Sequence, residues 1–136
     1  MTVRLDDRAR ELLDGRPLTT LTTINTSGQP QSTIVFVRRD GDTVLFSTIK
    51  GRVKTRNMVR DPRVTLLVLN TADGRWVEIQ GTVRIDEDPQ KVLLHEMYGR
   101  FMNGATPPPE PTAERLIARV TPTKVFTFPP VVATGG

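Results

Sequence analysis

The chain has 136 residues, 37% hydrophobic and 25% charged, which suits one globular domain over residues 1–136 with a buried core. It has no cysteine and one histidine, which excludes disulfides, thiol chemistry, zinc centres and nucleophile–histidine pairs. The net charge is +4 and the pI about 10.1, yet a broad nucleic-acid surface is not expected, because the excess sits in one short segment.

Leu5, Ala9, Leu12 and Leu13 repeat at helical spacing, which predicts a short amphipathic helix over 5–14, ended by Gly15 and Pro17. The N-terminus carries charges where a signal peptide would be apolar, and no apolar run reaches the roughly 20 residues of a spanning helix. The chain therefore reads as cytoplasmic, without a membrane partner. Strands are predicted over Leu18–Asn25, Gln31–Arg39 and Thr43–Ser47, joined by turns at Thr26–Gln29 and Asp40–Asp42. A basic helix over 52–60 follows, ended by Asp61-Pro62. Then come strands Arg63–Leu69 and Arg75–Ile85 around a turn at Thr71–Gly74. Asp88 and Pro89 look like the cap and first residue of a helix over 89–102, with Leu94, Met97, Tyr98 and Phe101 as its apolar face. A proline-rich loop fills 103–112, and a last strand, interrupted at Thr121-Pro122, runs Leu116–Phe128. Residues 129–136 read as a flexible tail. Six strands with short turns and few helices predict a small antiparallel barrel.

The basic segment Lys50–Arg63 holds six cations (Lys50, Arg52, Lys54, Arg56, Arg60, Arg63) against Asp61, a local charge of +5. The remaining 122 residues hold thirteen basic and fourteen acidic groups. Free N–H groups and the positive dipole end at a helix start suit a phosphate or carboxylate, with Arg52, Lys54, Arg56 and the Thr55 hydroxyl as further partners. The alternative is a solvated face, since Arg52, Arg56 and Arg60 repeat every four residues. Like charges at that spacing repel by a few tenths of a kcal/mol per pair, which a neutralising ligand would relieve.

Ser47 and Thr48 end the strand before this helix and either meet a ligand or form the turn. Gln31, at a strand start, either reaches a ring edge or lies at an exposed strand end. Trp76 belongs in a core or dimer interface, or stacks on a ligand. His95 reads as a helix residue rather than a base, and the acids Asp86, Glu87 and Asp88 as a helix-start cluster rather than a metal site. No side chain is marked for catalysis, so any enzymatic reaction would belong to a cofactor that the protein positions.

Several strings together carry a family likeness: Leu18-Thr-Thr-Leu-Thr-Thr-Ile, Ser27-Gly-Gln-Pro-Gln, Leu45-Phe-Ser, Gly51-Arg-Val-Lys-Thr-Arg-Asn-Met-Val-Arg-Asp-Pro-Arg-Val and Trp76-Val-Glu-Ile-Gln-Gly-Thr-Val. Over roughly residues 8–128 the sequence resembles the pyridoxamine 5′-phosphate oxidase-like split-barrel superfamily. It looks most like the actinobacterial flavin/deazaflavin oxidoreductases of the B type. The resemblance implies a six-stranded split β-barrel working as a homodimer, with cofactor sites at the interface. It implies coenzyme F420 as cofactor, with FMN as the alternative, and a small-molecule substrate. Arg52 and Lys54 would bind the cofactor phosphate, supported by Thr55 and Arg56. Gln31, Ser47 and Thr48 would line the ribityl and ring region, and Trp76 would come from the partner subunit. The C-terminal Pro129-Pro-Val-Val-Ala-Thr-Gly-Gly departs from the Arg-X-Pro ending of pyridoxamine 5′-phosphate oxidases, which speaks against vitamin B6 oxidation.

Overall fold

A computed structural model describes residues 2–130; of the predicted tail, residues 131–136 lie outside it. Helix α1 (Asp7–Asp14) opens on Asp6, whose carboxylate accepts the Ala9 N–H at 2.8 Å. The other elements, in order, are β1 (Leu18–Ile24), β2 (Pro30–Val35), β3 (Val37–Asp40), β4 (Thr43–Ile49), α2 (Val53–Arg60), β5 (Arg63–Leu69), β6 (Trp76–Glu87), α3 (Val92–Phe101) and β7 (Arg115–Phe128). All strand pairs are antiparallel, in the order β2-β1-β5-β6-β7-β4-β3.

The architecture is the expected split barrel, with seven strands instead of six. The strand predicted over 31–39 divides at Phe36: residues before it pair with β1, those after it with β4. Ile34 to Val37 is an unbroken apolar run, so the sequence carries no mark of the break. Because β2 and β3 stand at opposite ends of the strand order yet adjoin in the chain, Phe36 joins the two edges of the sheet. Its ring stacks on Phe101 of α3 at 4.7 Å between centroids and 6° between planes.

Inside, Leu21, Phe46, Leu66, Val68, Val77, Ile79 and Val120 form the core, joined by Leu12 and Leu13 of α1 and Met58 of α2. The α1 helix closes the end where β6 begins, its Glu11 meeting Arg75 at 3.1 Å. The α2 helix closes the opposite end, where Arg60 donates to the carbonyl of Ile24 at the end of β1. A smaller cluster of Leu45, Leu93 and Met97 seats α3 outside the barrel.

Two further expectations change. Residues 89–91 are not helical; Lys91 is the N-cap, in a left-handed conformation (φ 57°, ψ 36°). Asp88 still serves the helix start, accepting the N–H groups of Val92 and Leu93, both at 3.0 Å. The Pro122 interruption is absorbed as a β-bulge: Gln80 pairs with Lys124 and Gly81 with Pro122, so Thr123 is left over and β7 runs unbroken. At the bulge the backbones crowd, and a Cβ on Gly81 would meet the Thr121 carbonyl oxygen at 2.3 Å. Backbone cannot yield as a side-chain tip can. Gly81→Ala is expected to destabilise the protein by about 2 kcal/mol or more, measured by denaturant unfolding.

The proline-rich loop is fixed by charge. Arg115 grips Glu110 with Nε at 2.9 Å and Nη2 at 2.8 Å. Lys91 adds an ion pair at 3.3 Å and donates to the Glu110 carbonyl at 3.1 Å. The hydrogen bond from Arg115, with a smaller contribution from Lys91, holds the Glu110 carboxyl down at about 2 against an ordinary 4.5. A carboxyl depressed in the folded state stabilises the fold above its unfolded pKa, and that contribution disappears as pH falls through the folded value. Glu110→Gln is therefore expected to cost about 1–2 kcal/mol near neutral pH. The gap to wild type should shrink from pH 4.5 downward and close near pH 2, read by urea unfolding across that range.

Candidate functional site

Strand β4 delivers Ser47 and Thr48 to one end of the barrel, and a turn at Gly51 (φ 89°) swings the chain into α2. A left-handed residue is needed there, and glycine adopts it without steric cost. The turn is spliced to the helix by hydroxyls. Thr55 Oγ1 donates to the Ile49 carbonyl at 2.7 Å, which uses its single proton. Thr48 Oγ1 must then donate to Thr55 Oγ1, also at 2.7 Å. Both side chains are buried, so these hydroxyls hold α2 onto β4.

One face of α2 is committed to the barrel. Thr55, Asn57 and Met58 are buried, and Asn57 Nδ2 donates to Thr23 Oγ1 at 3.1 Å and Asn25 Oδ1 at 2.9 Å. Gln31 belongs to this inward network, its Oε1 accepting from Thr23 at 3.4 Å. Arg60 is tied down by Asn57 and the Ile24 carbonyl, and Arg63 by Asp61 at 2.7 Å. Lys50 meets Glu114 at 3.4 Å with both side chains largely exposed, a weak pairing.

Arg52, Lys54 and Arg56 differ from these neighbours: their side chains have no carboxylate or hydrogen-bonding partner among the described residues. Lys54 is half-buried, and its pKa is lowered, first by burial, then by the charges of Arg52 and Arg115. The helix cap at Arg52 supplies no side-chain hydrogen bond, so the first N–H groups of α2 are also uncapped.

Beside this helix start lies a cleft of about 780 Å³. Its α2 wall holds Thr55, Arg56, Val59 and Arg60, and its opposite wall Lys91, Arg115 and Leu116. Of the eight residues singled out in the sequence, Thr55 and Arg56 line it. Ser47 joins from beneath, its Oγ accepting from Arg115 Nη1 at 3.4 Å. Arg52 and Lys54 flank the same helix start. Gln31 and Thr48 lie behind it, turned into the barrel. Trp76 is elsewhere: it pairs with Phe128, while Ile49, next to α2, pairs with Arg115, thirteen residues earlier on β7. Its indole stacks on Phe128 at 5.4 Å. Sequence reasoning missed Arg115, Lys91 and Glu110; the one signal was an acid set among the loop prolines.

Comparison with known proteins agrees with this architecture. A family model described as pyridoxamine 5′-phosphate oxidase matches residues 5–128. A solved F420 reductase is similar over 90% of this chain and 98% of its own, at 27% identity and a TM-score of 0.82. A conserved hypothetical protein from Mycobacterium tuberculosis matches 99% of this chain and 94% of its own, at 22% identity and a TM-score of 0.74. An FMN-binding, pyridoxamine 5′-phosphate oxidase-related protein from Nostoc punctiforme shares the fold at 17% identity and a TM-score of 0.61, over 88% of this chain and 78% of its own. With its strand order, its helix-plugged barrel and a family match over nearly its whole length, the chain belongs to the pyridoxamine 5′-phosphate oxidase family.

Proposed function

We propose that the protein is an F420-dependent oxidoreductase that acts as a homodimer and reduces an unsaturated small molecule. One observation carries the reading: three cationic side chains crowd the start of α2 without partners among the described residues, and Lys54 among them is half-buried. An ammonium held from water without a counter-charge is unfavourable, and a phosphate would supply that charge together with acceptors for the uncapped N–H groups. The residues present therefore fit the phosphate of the cofactor. Arg52 and Lys54 hold it, Arg56 meets the adjoining chain, and Ser47 faces the ribityl and ring portion. Thr48, Thr55 and Gln31 act from behind by fixing the helix. When bound, reduced F420 supplies a hydride to the acceptor; the protein's part is to bind, orient and neutralise.

The similarity to an F420 reductase supports this reading. So does the local charge, because the glutamyl tail of F420 brings further carboxylates. FMN is the second reading, favoured by the fold shared with an FMN-binding protein and by cations sufficient for one phosphate. A carrier that holds either cofactor without turnover would use the same contacts.

The dimer rests on the outer sheet face. Leu18, Leu69, Trp76 and Phe128 stand in one cross-strand row, and Ile34, Thr20, Leu67, Glu78 and Phe126 in the next. Ile34 is 62% exposed, Phe128 49% and Phe126 47%, an apolar surface that a second copy would cover. Trp76 sits in that surface, away from the helix site of its own subunit.

Fluorescence titrations with F420 and FMN in parallel test the cofactor. Micromolar or tighter F420 binding with weaker FMN binding is expected, and the reverse preference would move the function to flavin chemistry. Arg52→Ala and Lys54→Ala should each weaken F420 binding at least about tenfold, about 1.4 kcal/mol; unchanged affinity would remove these residues from the site. Phe126→Glu should yield monomers in sedimentation equilibrium and lose F420 affinity, whereas a dimer that persists would place the interface elsewhere.

A further inference from the structure

Arg115 is the most constrained cation lining the cleft. Its side chain is 15% exposed, and Glu110 occupies one edge of its guanidinium through Nε and Nη2. Ser47 Oγ accepts from Nη1 at 3.4 Å. A guanidinium has five N–H donors in a fixed plane. Side-on binding of one carboxylate, with one further donation from Nη1, leaves two N–H donors, one on each terminal nitrogen, without an acceptor among the described residues. That pair matches a second carboxylate in bidentate geometry.

The surroundings define the ligand further. Arg115, Lys91 and Glu110 together carry one net positive charge, which a single negative charge balances. The adjoining walls offer Val59, Pro89 and Leu116 as apolar surface. Lys91 reaches Glu110 from a left-handed backbone that a non-glycine residue adopts only under strain.

We propose that Arg115 selects an acceptor bearing a carboxylate next to an apolar, unsaturated body, Glu110 and Lys91 serving as its positioning residues. The inference rests on the oxidoreductase reading above and names the substrate class for that site. The carboxylate is bound and not transformed.

The test uses trans-cinnamate and methyl cinnamate as probes on the full-length protein, observed through the Nε–Hε resonances of arginine in ¹H–¹⁵N spectra. Cinnamate should shift the Arg115 resonance and saturate, and the ester should bind at least tenfold more weakly. Arg115→Gln should lose at least tenfold in cinnamate affinity, and Arg115→Lys should recover part of it. Equal binding of acid and ester, or an Arg115 resonance that does not move, would overturn the proposal without reference to any variant. F420 binding is measured on the same samples. F420 binding without cinnamate binding sinks this inference alone; cinnamate binding at Arg115 with neither F420 nor FMN binding sinks the oxidoreductase reading instead. Displacement of cinnamate by F420 but not by a preparation lacking the glutamyl tail would assign the open donors to the tail and overturn the acceptor assignment.

Discussion

Closure of the sheet at Phe36 is the constraint from which the rest of this structure follows. A seven-stranded antiparallel sheet with free ends would expose two rows of unpaired backbone groups. Here the two end strands are one stretch of chain, so the edges are tied together at a single residue and the sheet must curl. Stacking of Phe36 on Phe101 covers the corner with α3. A curled sheet of this size has two open ends with apolar side chains beneath, and α1 and α2 are spent on them. Because Thr55, Asn57 and Met58 are consumed in plugging one end, the remaining positions of α2 have only outward directions available. The cationic face is the side of the plug that the core does not use.

Charge pairing then decides which cations are free to act. Arg39 is held by Asp14, Arg75 by Glu11 and Asp73, Arg119 by Asp40 and Arg63 by Asp61. Pairs as exposed as these add little stability. Their effect here is on where the field is concentrated: carboxylates neutralise these four arginines of the strands and turns, and the start of α2 keeps its charge. Arg52 and Arg115 lie close enough to Lys54 to repel it, and the burial of Lys54 sharpens the penalty. A fold selected for stability alone would place an acid there. The absence of one among the described residues is what gives the anion reading its weight over that of a solvated helix face.

Much of this was legible in the sequence, for identifiable reasons. The Thr-, Leu- and Ile-rich stretch of β1 and the nearly continuous apolar run of β5 gave strand positions directly, and the six cations marked the segment around α2. What failed to show was anything set by contacts distant in the chain. The break at Phe36 lies inside an apolar run and depends on β4 and α3. The Pro122 interruption vanished because Gly81, forty-one residues away, lets a bulge absorb it. Thr48 and Thr55 carry the hydroxyls a ligand site would need, but their spacing of seven lets them bond each other across the Gly51 turn. Arg115 fell between the predicted loop over 103–112 and the strand from Leu116, and its pairing with Glu110 five residues earlier has no periodic signature.

The two walls of the cleft are built by different physics, which separates what they can determine. The α2 wall is positioned by the core, through Met58 and the Asn57–Thr23 bond, and any change there disturbs the barrel. The opposite wall is positioned by a loop with four prolines, Pro107, Pro108, Pro109 and Pro111, on either side of Glu110. Proline fixes φ and lowers the entropy that an unfolded loop would lose on ordering. Glu110 therefore reaches Arg115 and Lys91 from a segment already restricted, without secondary structure to hold it. Such a wall can change its residues while the helix wall and the barrel stay as they are. On the reading proposed above, cofactor binding on the helix side and ligand choice on the loop side are then separable properties of one cleft.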